Sequence, residues 1–136
     1  MSKTSLDVIN ILYQNVFNSA FLSDPKKPNG GLYKLQRPAN SAKEDVVINS
    51  LPVDRGAVQK GVMNVNIFVP NITIDPTLPD TKRLDELSDL FNNTFPGEIW
   101  DSTGTYVFEI QQDNIYPDTN NQHYINYRIE FHSLNT

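Results

Sequence analysis

Residues 124–131 read Tyr-Ile-Asn-Tyr-Arg-Ile-Glu-Phe, and no other stretch restricts the fold as tightly. Ile125, Tyr127, Ile129 and Phe131 alternate with Asn126, Arg128 and Glu130. This is the two-residue repeat of a strand with one apolar and one wet face; a helix would scatter those four apolar side chains around its axis. Such a strand needs a partner, and residues 105–111 supply one, with Tyr106, Phe108 and Ile110 set against Val107 and Glu109. The turn-rich run Tyr116-Pro117-Asp118-Thr119-Asn120-Asn121 separates the two, which predicts an antiparallel hairpin. Residues 62–69 alternate in the same way: Met63, Val65, Ile67 and Val69 oppose Asn64 and Asn66, with Val62 and Phe68 at the ends. Residues 32–35 and the β-branched run 45–49 predict two shorter strands.

The remaining apolar residues follow the helical period. Leu6, Ile9, Leu12, Tyr13, Val16, Phe17, Ala20 and Phe21 form one stripe over residues 6–22, with Thr4 or Ser5 as its cap, before the proline- and glycine-rich loop 23–31. A second helix begins at Asp80 or Thr81, carries Leu84, Leu87, Leu90, Phe91 and Phe95, and stops at Pro96-Gly97. The elements run helix, three strands, helix, two strands. They predict a single α+β domain over residues 1–136, a mainly antiparallel sheet of four to five strands with both helices on one face. The second face would carry Asn64, Asn66, Tyr124, Asn126, Arg128 and Glu130. It is either solvated or packed by a neighbouring subunit.

Composition narrows the chemistry. A net charge of −5 and a pI near 4.8 argue against holding nucleic acid through its phosphates, and the adjacent basic pairs, Lys26-Lys27 and Lys82-Arg83, fall in a loop and a first helical turn. The absence of cysteine removes disulfides, thiolate metal sites and a cysteine nucleophile. Asp7, Asn10, Gln14, Asn15 and Asn18 interrupt residues 6–22 too often for a signal or membrane segment. His123 and His132 lie on one strand, roughly 30 Å apart if it is extended, too far to share a metal. The carboxylate pairs Glu44-Asp45, Asp85-Glu86 and Glu109 with Asp113 come with no supporting nucleophile or phosphate loop, and residues 113–118 lack the rhythm of a calcium site. No catalytic residue, cofactor or metal site is predicted. Trp100, the sole tryptophan, would either close the end of the core, the commoner role, or anchor an interface.

Three segments carry a resemblance: Glu44-Asp45-Val46-Val47-Ile48-Asn49-Ser50-Leu51, then residues 59–71 (Gln-Lys-Gly-Val-Met-Asn-Val-Asn-Ile-Phe-Val-Pro-Asn), then Arg83-Leu84-Asp85-Glu86-Leu87-Ser88-Asp89-Leu90. Together they resemble small phage or prophage proteins of Bacteroides-type bacteria. The order of elements over residues 5–132 is similar to that of the tail-terminator and tail-completion proteins of long-tailed phages. The resemblance carries over no catalytic residue. It implies a non-enzymatic virion protein, made in the host bacterial cytoplasm, that forms a ring, usually of six copies. The ring closes the tail tube, binds tail-tube and head-connector proteins on its faces and lets DNA pass without specific binding.

A head-to-tail ring needs two different patches on each subunit. The loop 52–59, with Asp54, Arg55, Val58 and Gln59, is the first expected patch, and the turn 114–122, with Asn114, Tyr116 and Asp118, is the second. Two other readings stay open. One is a cytoplasmic small-molecule or protein-binding module encoded in a prophage, with a pocket lined by Tyr106, Phe108 and Tyr127; the other is a hydrolase, which would need carboxylates converging in a cleft.

Overall fold

Thr4 fixes where the chain first becomes helical. Its hydroxyl accepts from the Asp7 amide at 3.0 Å while the Asp7 carboxylate accepts from the Thr4 amide at 2.9 Å, so two amides left unpaired at a helix start are satisfied reciprocally. The resulting helix α1 (Ser5–Phe17) buries Val8, Ile9, Leu12 and Val16. It ends earlier than the apolar stripe predicts. The Ser19 hydroxyl donates back to the Val16 carbonyl at 2.6 Å, and a separate 3-10 turn (Ala20–Leu22) drops Phe21 into the core. In helix α2 (Thr81–Thr94), capped by Asp80 as expected, Leu84, Leu87 and Phe91 face inward. The structure, a computed structural model, describes residues 3–134; Met1, Ser2, Asn135 and Thr136 of the expected domain 1–136 lie outside the described residues.

The strands are β1 (Leu32–Lys34), β2 (Val46–Ser50), β3 (Val58–Pro70), β4 (Glu98–Trp100), β5 (Tyr106–Asp118) and β6 (Gln122–Leu134). They form one mixed sheet in the order β1-β2-β3-β6-β5-β4. The α+β class stands, but the expected four to five strands are six. β1 pairs with β2 in parallel and every other neighbour is antiparallel. Segment 35–45 makes this possible by carrying the chain back along the sheet before β2 begins. The additional strand is β4, which gives the order three strands, helix, three strands; at three residues it is too short for a periodic signal.

The hairpin expected from the two best alternations is present and longer than they indicate. β5 continues to Asp118, so Asn114, Tyr116 and Asp118 belong to a strand and the turn shrinks to residues 119–121. Asn120 and Asn121 turn it with φ of 64° and 58°, a region asparagine tolerates. Pro117 is accepted because β4 pairs with β5 only at Val107, Phe108 and Glu109. Among the described residues, nothing pairs with the outer edge of the rest of β5, so the missing proline N–H breaks no ladder bond.

One face of the sheet builds the core. Met63, Val65, Ile67 and Val69 of β3 and Ile125, Tyr127, Ile129 and Phe131 of β6 join Val46, Ile48, Phe108 and the inward residues of both helices in a single cluster. Both helices therefore lie on this face, as expected. Phe91 stacks on Tyr127 at 4.2 Å between ring centroids and meets Phe21 edge-on at 5.2 Å. Each such large side chain contributes about 1.5–3 kcal/mol by leaving water.

Two polar clamps hold the long loops. The Glu44 carboxylate accepts from Arg83 Nε at 2.7 Å and from its terminal nitrogen at 2.8 Å, and also from the Asn29 amide at 3.1 Å. This joins loop 23–31 and the start of β2 to α2. Arg37 forms the other clamp, reaching the buried Asp45 at 3.4 Å, Asp118 at 3.6 Å and the side chain of Gln122. Its guanidinium also lies 3.8 Å over the Phe68 ring, which seats segment 35–43 on one corner of the second sheet face.

Candidate functional site

The second face follows from strand alternation and register. Phe68, Tyr124 and Tyr116 lie side by side on β3, β6 and β5, their ring centroids 5.1 and 5.6 Å apart. The next row across the sheet is Val47, Asn66, Asn126 and Asn114, followed by Asn49, Asn64, Arg128 and Gln112. Asn126 donates to Asn66 at 2.7 Å and to Asn64 at 3.1 Å, and Asn64 donates to Asn49 at 3.0 Å. These amides orient one another through hydrogen bonds across three neighbouring strands. Then come Val62, Glu130, Glu109 and Glu98, and after them Lys60, His132, Val107 and Trp100. Val58 and Leu134 close this end of the face.

Val58, Trp100, Val107 and Leu134 border a groove of about 310 Å³, with Thr105, Tyr106, His132 and Ser133 completing it. Trp100 is 58% exposed, Leu134 56% and Val58 48%. The expectation that Trp100 more commonly closes the core is corrected: β4 places it opposite Val107 on the second face, with its indole N–H donating to Glu98 at 2.6 Å. Nearby, the Asp101 carboxylate accepts from Thr103 at 2.5 Å, Thr105 at 2.7 Å and the Tyr106 amide at 3.2 Å. Partial desolvation works to raise its pKa, but these hydrogen bonds outweigh it and hold the group well below the usual carboxylate range.

The seven expected interface residues divide between the two ends of the β3–β6 ladder. Asp54 and Arg55 are exposed on the loop before β3, and Val58 borders the groove. Gln59 beside them is fully buried and has no surface to offer. Its side-chain Oε1 accepts from the Lys3 amide at 2.7 Å, and its side-chain Nε2 donates to the Lys3 and Asp54 carbonyls at 2.8 and 2.7 Å. It brackets the start of the chain and loop 51–57 to β3. Tyr116 and Asn114 are exposed toward the other end, Tyr116 against Tyr124 and Asn114 accepting from the Ile115 amide at 2.8 Å. Asp118 is half-buried in the Arg37 clamp.

The other candidates do not converge. Phe108 and Tyr127 are core residues, so they form no aromatic pocket with Tyr106. His123 bonds Asn71 at 2.7 Å and His132 meets Glu130 at 2.8 Å, at opposite ends of β6. Among the described residues no group of three histidines, aspartates or glutamates is placed to hold a metal ion, and no helix is long and apolar enough to cross a membrane. Sequence reasoning missed the groove as a unit, because its walls come from β3, β4, β5 and β6. No protein-family model matches the chain, and no curated protein matches it.

Proposed function

We propose that the chain is a non-enzymatic virion assembly protein of the tail-terminator or head-to-tail joining type, a ring subunit that closes the tail tube of a long-tailed phage. The observation that carries this reading is the second sheet face. It is a broad polar support whose amides are already paired with one another, bordered by exposed aromatic and aliphatic side chains. Docking onto pre-ordered amides costs little side-chain entropy, while exposed Trp, Tyr and Arg are the side chains that dominate association energies. The partners are other copies of the chain, the tail-tube protein and the head connector. DNA passes through the lumen without specific binding, in keeping with a net charge of −5. The protein acts in the virion and is assembled in the host bacterial cytoplasm.

Light scattering over a range of concentrations, with negative-stain imaging, tests the proposal. A hexamer-sized ring with an open centre is expected, either from the protein alone or on mixing with the tail-tube protein of the same genome. A strict monomer under both conditions would remove the ring and favour a binding module.

A further inference from the structure

The loop between β3 and α2 holds an aliphatic side chain in water by construction. Ile74 is 94% exposed, yet its loop is well tied. The Ile72 amide donates to the Leu78 carbonyl at 3.1 Å and the Leu78 amide to the Asp75 carbonyl at 3.0 Å. The Asn71 side chain donates to the Pro76 carbonyl at 2.7 Å, and Thr77 donates to Asp75 through its hydroxyl at 2.6 Å and its amide at 3.1 Å. The Asn71 amide and side chain also meet Asn121 and His123, which fixes the loop to the β5–β6 turn. Ile74 and the half-exposed Leu78 thus form a braced apolar knob.

This knob and the Trp100 groove lie at opposite ends of the sheet. The knob follows Pro70, the last residue of β3, and the groove includes Val58, the first. Thirteen residues of strand separate them by roughly 40 Å, so they cannot meet within one chain. A knob at one end and a groove at the other make a contact of head-to-tail type, which repeats from copy to copy and closes into a ring when the rotation per subunit allows.

Charge restricts how the two can meet. Asp75 sits beside Ile74, and Thr77 holds its carboxyl below the usual range, so the knob presents an anion. Lys60 stands next to His132 on the groove side of the sheet and has no ion pair among the described residues. Glu98, Glu109 and Glu130 fill the row beside Lys60 and Asp101 lies next to Trp100, so Asp75 has to enter from the Lys60 side, away from these acids.

We infer that the Ile74 loop of one copy seats in the Val58–Trp100–Leu134 groove of a second copy, with Asp75 turned toward Lys60. The inference rests on the self-associating ring proposed above and adds which surfaces meet.

The chain has no cysteine, so single-cysteine variants can be joined with a short bis-maleimide. With tail-tube protein absent and present, Ile74→Cys mixed with Val58→Cys should give a cross-linked dimer, while neither variant cross-links to itself. Ile74→Asp should raise the concentration needed for half-assembly at least tenfold, and because its site is exposed the variant should keep the wild-type circular dichroism and melting temperature. Assembly by light scattering without a mixed cross-link would overturn this contact and leave the ring standing. Self-cross-linking of Val58→Cys would overturn it in favour of a two-fold, groove-to-groove dimer. No assembly under either condition would remove both the contact and the ring.

Discussion

Tyr127 combines a packing role with a titratable one. Its ring is fully buried against Phe91 and its hydroxyl lies 3.1 Å from that of Ser88. Burial pushes its pKa up to about 12, with smaller upward contributions from Asp113 and Asp89, against the opposing Ser88 hydrogen bond. The folded state therefore keeps a proton that the unfolded state releases near pH 10. Its stabilising contribution is whole below about pH 10 and is lost as pH rises toward 12. Wild type should lose about 1 kcal/mol more than Tyr127→Phe between pH 10 and 11, read from urea unfolding at each pH. Equal slopes would mean that the phenol reaches water. The Glu44–Arg83 pair makes a second prediction. Glu44→Ala leaves a shielded guanidinium with only the Lys27 carbonyl and the Asn29 amide without its acceptor, and should cost about 2–4 kcal/mol in denaturant unfolding. Lys26→Ala removes only an exposed 3.6 Å pair with Glu86 and should cost less than about 0.5 kcal/mol.

At the scale of elements, Gly61 of β3 shows how loop 51–57 is held. A Cβ at Gly61 would come within 2.8 Å of Val53 Cγ2, so the absence of a side chain there lets Val53 settle on the strand. Gly61→Ala should push Val53 away at a cost of about 1–3 kcal/mol and speed hydrogen exchange at the Asp54 amide, which bonds the Lys60 carbonyl at 2.9 Å. Amides of the central β3–β6 ladder should keep their protection; an unchanged Asp54 amide would show that the loop is held otherwise. The elements that were legible in the sequence are the capped start of α1, α2, the short strands β1 and β2, the first half of β5 and the central parts of β3 and β6; all but β1 and β2 announce themselves by one wet and one dry side. The second half of β5 was not, because Gln111 to Pro117 are exposed and only the pairing with β6 keeps them extended. Within the candidate site, the exposure of Asp54, Arg55 and Val58 followed from local sequence. The burial of Gln59 did not, since it depends on Lys3, 56 residues away. Trp100 also escaped, because its place is set by the register of a three-residue strand against Val107.

For the whole molecule, the single tryptophan lies outside the hydrophobic cluster, so its fluorescence follows the groove rather than the core. In dilute monomer it should emit as a hydrated indole and be quenched readily by acrylamide, because 58% of its surface is open. If a neighbour fills the groove, assembly excludes water from the ring. Emission should then shift to shorter wavelength and quenching should fall, over the concentration range in which light scattering reports growth. Ile74→Asp should keep the monomer spectrum at concentrations where wild type has assembled, while Lys26→Ala should follow wild type. Assembly without a spectral change would place the subunit contact away from β4 and turn attention to the amide rows between Asn49 and Asn126. A water-protected spectrum in dilute monomer would instead contradict the register that sets Trp100 opposite Val107. One fluorophore thus reports both the seating of Trp100 on β4 and the filling of the groove.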